Sequence, residues 1–191
     1  MSILVKLSKY KLWLVLFLIC FLIQFLQLAP QLRFDRHLIE QWQLWRLLSG
    51  HVTHLNWNHL WLNMAGLAMV AVFFSSYKSA QYWVLSLIFI ALFCSAGMLI
   101  DQQFNRYVGL SGVLHGLFIL GGRWEMRRYK LSGAMLLVII IGKLIYEQKF
   151  GALPGSESMT GGKVAINAHL YGAIAGGVII LMERFKLWRP A

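Results

Sequence analysis

The sequence predicts an all-α fold: one membrane domain over residues 1–191, built from six transmembrane helices. Three observations point there. Of 191 residues, 59% are hydrophobic and 13% charged, whereas a soluble domain carries about 25% charge. The apolar residues gather into runs long enough to cross a bilayer. The basic residues flank those runs. With the N-terminus inside, eleven Lys and Arg fall on the inner side and six on the outer, with Lys143 left inside the fifth span, as the positive-inside rule requires. Both termini are then cytoplasmic.

Taken in order, the predicted spans are 11–29, 59–77, 80–100, 110–123, 131–147 and 165–183. The first follows Lys6, Lys9 and Lys11 like a signal peptide. It outruns the usual apolar region of about 7–15 residues, and no A-x-A site follows it, so it reads as an uncleaved helix. The first outer loop, 30–58, places Leu38, Ile39, Trp42 and Trp45 at helical spacing, which predicts a helix lying in the membrane interface. The last outer loop, 150–164, is rich in Gly, Ser and Pro and reads as a mobile connector in preference to a lid. The fourth span is short. About 14 residues cover roughly 20 Å of an apolar core about 30 Å thick, so Ser111 at its outer end is recessed below the membrane surface.

The net charge of +11 would indicate nucleic acid in a soluble protein. Without a basic-aromatic surface segment, nucleic-acid binding is excluded, and the charge is assigned to topology and anionic lipid. Cys20 and Cys94 lie inside apolar runs and read as small buried hydrophobes, not a disulfide or a metal pair.

Polar groups inside spans are costly and invite a functional reading. His59 and Asn63, four residues apart, share one face at the outer end of the second span. They are either donors to a developing oxyanion or an interhelical hydrogen-bond pair. His169 lies at the same depth in the sixth span. Gly112 and Gly116 form a GxxxG face in the fourth span, Gly172 and Gly176 another in the sixth. Meeting faces of this kind allow close helix approach and bring Ser111 and His169 within hydrogen-bonding range, the nucleophile-plus-base arrangement. Gly109 and Gly112 relax the backbone around the serine, freeing amides for an oxyanion.

The remaining polar residues narrow the chemistry. There is no HExxH zinc motif, and Asp35 and Asp101 lie in or beside outer loops. No carboxylate is evidently placed to orient His169, so a Ser–His dyad is expected. A metal site from His51, His54 and His59 is an alternative that lacks a thiol or carboxylate partner. Lys143 and Glu147, four apart in the fifth span, read as a structural ion pair.

Together these residues resemble the rhomboid family of intramembrane serine proteases, over nearly the whole chain. Trp45–Arg46 resembles its first-loop signature, "HLNWNHLWLN" its second-helix HxxxN motif, "GLSG" at 109–112 its GxSG nucleophile motif, and "HLYGAIAG" its sixth-helix histidine and glycines. The resemblance implies a six-helix rhomboid-like bundle in which Ser111 is the nucleophile and His169 the general base. It further implies that His59, Asn63 and the Ser111 amide form the oxyanion site, and that Trp45 and Arg46 support the first loop. His115 stands where many members carry a tyrosine against the catalytic imidazole. The compact form with "GLSGVLHG" is most similar to the rhombosortase branch of Gram-negative bacteria. That branch implies an inner-membrane enzyme open to the periplasm, acting on membrane-anchored clients with a C-terminal Gly-Gly motif, apolar helix and basic tail. No metal or cofactor is implied, and the sequence sets no oligomeric state. Two other classes are a non-catalytic rhomboid-like escort of membrane proteins, expected to lose the serine or histidine, and a small transporter using His59 and His169 as a proton relay, for which no inverted repeat is visible.

Overall fold

In the computed structural model, residues 9–101 and 103–189 are described; Lys6, one of the inner basic residues, lies outside them. Six long helices run through these residues: α1 Lys11–Phe25, α2 Trp57–Phe74, α3 Ala80–Asp101, α4 Ser111–Arg128, α5 Lys130–Phe150 and α6 Ile166–Arg184. Four segments, Trp57–Tyr77, Ala80–Asp101, Lys130–Phe150 and Ile166–Arg184, are long and apolar enough to cross a membrane.

α1 stops four residues short of its expected end. Gln27 turns left-handed at φ 54°, which breaks the helix, and a new helical turn begins at Ala29 with Pro30 in its first turn, where a missing amide costs nothing. The helix packs on α2 through aromatic rings, Phe21 lying 5.5 Å from Trp57 and Phe17 6.2 Å from Trp61 between ring centroids.

The segment between α1 and α2 is not the single interfacial helix expected. It folds as the short turns Arg36–Glu40, Arg46–Ser49 and Gly50–Val52, broken at Trp42, whose φ is +70°. Ile39 therefore turns inward while Trp42 and Trp45 stay exposed. Buried Arg46 stitches the turns together, donating to the carbonyls of Arg33 (2.8 Å) and Pro30 (3.3 Å) and to Gln43 Oε1 (2.8 Å). A two-stranded antiparallel ribbon, β1 Phe34–Asp35 against β2 Arg106–Tyr107, ties this segment to the approach to α4.

α4 starts one residue from its expected start but runs five residues further, to Arg128. Apolar pattern alone ended the prediction at 123, whereas Arg123, Glu125, Met126, Arg127 and Arg128 continue the helix with good helix formers. Its last turn carries Arg127 and Arg128, which suit the helix dipole. The uncharged part, residues 111–122, still covers only about 18 Å.

The core forms where α2, α3, α4 and α6 converge, around Leu60, Leu67, Ile90, Leu117, Leu120 and Ile179. Cys20 and Cys94 are buried and free. The stretch after α5 is more than a connector: Ser156–Thr160 forms a helical turn between left-handed Gly155 and Gly161. Asn56 anchors it. Its Oδ1 caps α2 by accepting from the His59 amide (2.9 Å), while its Nδ2 donates to the Thr160 carbonyl (2.9 Å).

Candidate active site

α4 and α6 meet along their glycines. A methyl group at Gly112 would lie 2.8 Å from the Ala168 carbonyl oxygen, and one at Gly176 2.5 Å from that of Gly116. One at Gly172 would overlap the Gly112 carbonyl outright. Glycine is thus what permits the approach. Just beyond the contact, Ser111 Oγ and His169 Nε2 are 2.9 Å apart.

Ser111 is the first residue of α4, so its amide and the next two have no acceptor within the helix and sit at the positive end of its dipole. The chain reaches it through Gly109, at φ +130° with a methyl-sized space closed off 2.9 Å away by His59 Nε2. Both constraints demand glycine. The Gly109 amide donates to the Gly50 carbonyl (3.1 Å) and its carbonyl accepts from Tyr107 (2.6 Å), which fixes where Ser111 begins the helix.

His59 and Asn63, both buried, line the same cavity as Ser111 and His169, of about 620 Å³. His59 Nδ1 accepts from the Leu55 amide at 3.4 Å. In the neutral ring, Nε2 is then the donor, on the side facing Gly109. Asn63 spends one amide hydrogen on the His59 carbonyl (3.0 Å) and retains a second. His54, edge-on to His59 at 5.2 Å, is held down to a pKa of about 3, first by burial and then by repulsion from His59 when that ring is protonated.

His115 stacks on His169 with ring centroids 4.2 Å apart and planes 17° from parallel. Its Nδ1 contacts the Ser111 carbonyl at 2.7 Å. Trp45 and Arg46 do not line the cavity; Arg46 acts at a distance, by holding the preceding loop. Gly172 and Gly176 act through helix approach, as described.

A carboxylate does stand beside His169, where none was expected. Glu147 Oε2 lies 2.9 Å from His169 Nδ1, and its Oε1 accepts from Lys143 Nζ at 2.6 Å. Lys143 also lies 3.1 Å from His115 Nε2. The pair read as structural is therefore part of the site. Its signal in the sequence was the cost of two charges in an apolar span; which residue they serve depends on how α5 and α6 pack. The fifth helix brings them to His169.

Among the described residues, His51, His54 and His59 do not form a metal-ligand cluster; His51 instead contacts Ser95 Oγ at 3.0 Å. The ligand atoms that do converge, within 4.8 Å, belong to His115, Glu147 and His169. The Lys143 ammonium already lies within 3.4 Å of all three of these side chains, so the centre has its own fixed cation.

This arrangement holds a hydroxyl beside an imidazole, with amide and side-chain donors around one cavity. Comparison with protein families matches the Rhomboid domain to residues 41–184. Comparison with curated proteins gives no match.

Proposed function

The chain belongs to the rhomboid family, whose members are typically intramembrane serine proteases, and from that premise we propose that it is a serine endopeptidase cutting membrane-anchored clients near the outer ends of their transmembrane segments. The observation that carries the proposal is the 2.9 Å contact between Ser111 Oγ and His169 Nε2 at the start of α4. His169 Nε2 takes the Ser111 proton as Oγ attacks the scissile carbonyl. The oxyanion then lies against His59, Asn63 and the Ser111 amide. His169 returns the proton to the leaving amine, and water entering through the cavity hydrolyses the acyl-enzyme by the reverse sequence.

In this reading all six long helices cross the bilayer as one domain over residues 1–191, with the first outer loop at 30–58 and the last at 150–164. α1 and the short uncharged part of α4 span locally thinned or protein-lined regions. Both termini face the cytoplasm, and the cavity opens to the periplasm of a Gram-negative inner membrane. The clients are those of the rhombosortase branch, carrying a C-terminal Gly-Gly motif, apolar helix and basic tail. Ser111 and His169 in contact favour this over a non-catalytic escort, since an escort has no need of either.

Ser111→Ala and His169→Ala should each abolish cleavage of a Gly-Gly-tailed reporter in bacterial membranes, at unchanged protein level. Normal cleavage by the serine variant would sink the proposal. Labelling of wild-type Ser111 by a fluorophosphonate without cleavage of that reporter would retain the protease and reject the client class.

A further inference from the structure

We infer that Glu147 is the third member of the hydrolytic machinery, a positioning residue that fixes His169 in the base-competent tautomer, with Lys143 holding Glu147 and His115 in place. The inference rests on the serine-protease reading above.

The argument follows from which groups can donate. A backbone carbonyl only accepts, an ammonium only donates, and a carboxylate only accepts. His115 therefore donates from Nδ1 to the Ser111 carbonyl (2.7 Å) and receives Lys143 at Nε2 (3.1 Å). By the same logic His169 donates from Nδ1 to Glu147 Oε2 (2.9 Å). In the neutral ring its Nε2 is then left with a lone pair, directed at Ser111 Oγ 2.9 Å away. A general base needs that lone pair. In a free imidazole, tautomers with the proton on Nε2 compete, and such a ring cannot accept from the serine.

Lys143 Nζ is also 3.4 Å from His169 Nδ1. Two donors face each other there, so this contact is electrostatic and opposes the imidazolium that forms on proton transfer. Glu147, with one oxygen on each, offsets it. The side chain of Glu147 is 2% exposed, and an isolated buried carboxylate is costly. Lys143 alone would relieve that cost through Oε1. The second oxygen is free to serve His169.

Proton movement closes without Glu147 becoming protonated. The proton leaves Ser111 Oγ for His169 Nε2 as the Oγ–C bond forms, and passes to the amine as the C–N bond breaks. In deacylation a water proton takes the same path and returns to Oγ. The Nδ1 proton stays on His169 throughout.

The test uses the full chain in lipid nanodiscs and a fluorophosphonate as the serine-reactive probe. Glu147→Gln should lower the maximal labelling rate about 10²–10⁴-fold with half-saturation within about twofold, as expected for a lost tautomer restraint. Glu147→Asp should recover part of the rate, because a carboxylate is restored. Independently of any variant, ¹⁵N spectra of wild-type His169 should show a protonated Nδ1 and a bare Nε2 nitrogen. Labelling of Glu147→Gln at the wild-type rate, or a wild-type ring protonated on Nε2, overturns the inference and leaves the protease standing. Failure of wild-type Ser111 to label overturns both.

Discussion

At the scale of single residues, the site works by exhausting the hydrogen-bonding options of each ring. His59 has Nδ1 committed to the Leu55 amide, so its remaining proton faces the cavity. Asn63 commits one amide hydrogen to the His59 carbonyl and offers the other. Donors fixed in advance need no reorganisation when charge appears. Asn63→Ala should therefore lower kcat about 10²–10³-fold with KM little changed, measured on reporter cleavage. A change confined to KM would place Asn63 in client binding instead. Ser111, His59, Asn63 and His169 were legible in the sequence because each is a polar residue at a defined depth in an apolar run. The contact of Glu147 with His169 was not: it spans 22 residues of chain, and no spacing rule links residues on separately placed helices.

At the scale of elements, the proposed catalysis depends on how closely α4 and α6 approach. Gly172 faces the Gly112 carbonyl with no space for a side chain, whereas Gly177 has nothing within 4 Å of the position a Cβ would take. Gly172→Ala should separate the helices, costing about 1–3 kcal/mol, lowering the Tm and breaking the Ser111–His169 contact. Gly177→Ala should be neutral or slightly stabilising, since alanine is the better helix former. Equal effects from the two would show that the interface does not set the active geometry. The meeting of these faces could be read from two GxxxG patterns. The broken helices between α1 and α2 could not, because Trp42 fits a helical stripe by type and spacing and departs from it only through its backbone angle.

At the scale of the whole molecule, stability draws on histidines away from the chemistry. His51 is buried between the turn Gly50–Val52 and α3, contacting Ser95, which in turn donates to the Leu47 carbonyl. Burial lowers its pKa from 6.5 to about 4. The folded state keeps this ring neutral while the unfolded chain takes up a proton, so stability is full above about pH 6.5 and falls as pH drops towards 4. The loss from His51 reaches about 3 kcal/mol. The wild-type Tm should thus fall more between pH 7.5 and pH 5 than that of His51→Asn; equal falls would assign the acid sensitivity elsewhere. The order and approximate limits of the six long helices were legible from apolar runs alone, and the ends that moved furthest, at Phe25 and Arg128, moved for reasons of backbone and helix propensity.

The four side chains beneath Ser111 have one further consequence. Lys143 and Glu147 cancel, and the hydrogen bonds of His115 and His169 are those of uncharged rings. With both rings neutral, the resting cluster sums to zero. In the proposed reaction, attack by the serine then adds no net charge to the membrane interior; it separates one positive from one negative charge across a few ångströms. A dipole of that size costs far less in a low-dielectric medium than a lone ion, and it is short enough for fixed protein groups at both ends to solvate. Hydrolysis at this depth thereby becomes a problem of orienting local dipoles, one that the surrounding lipid need not help to solve.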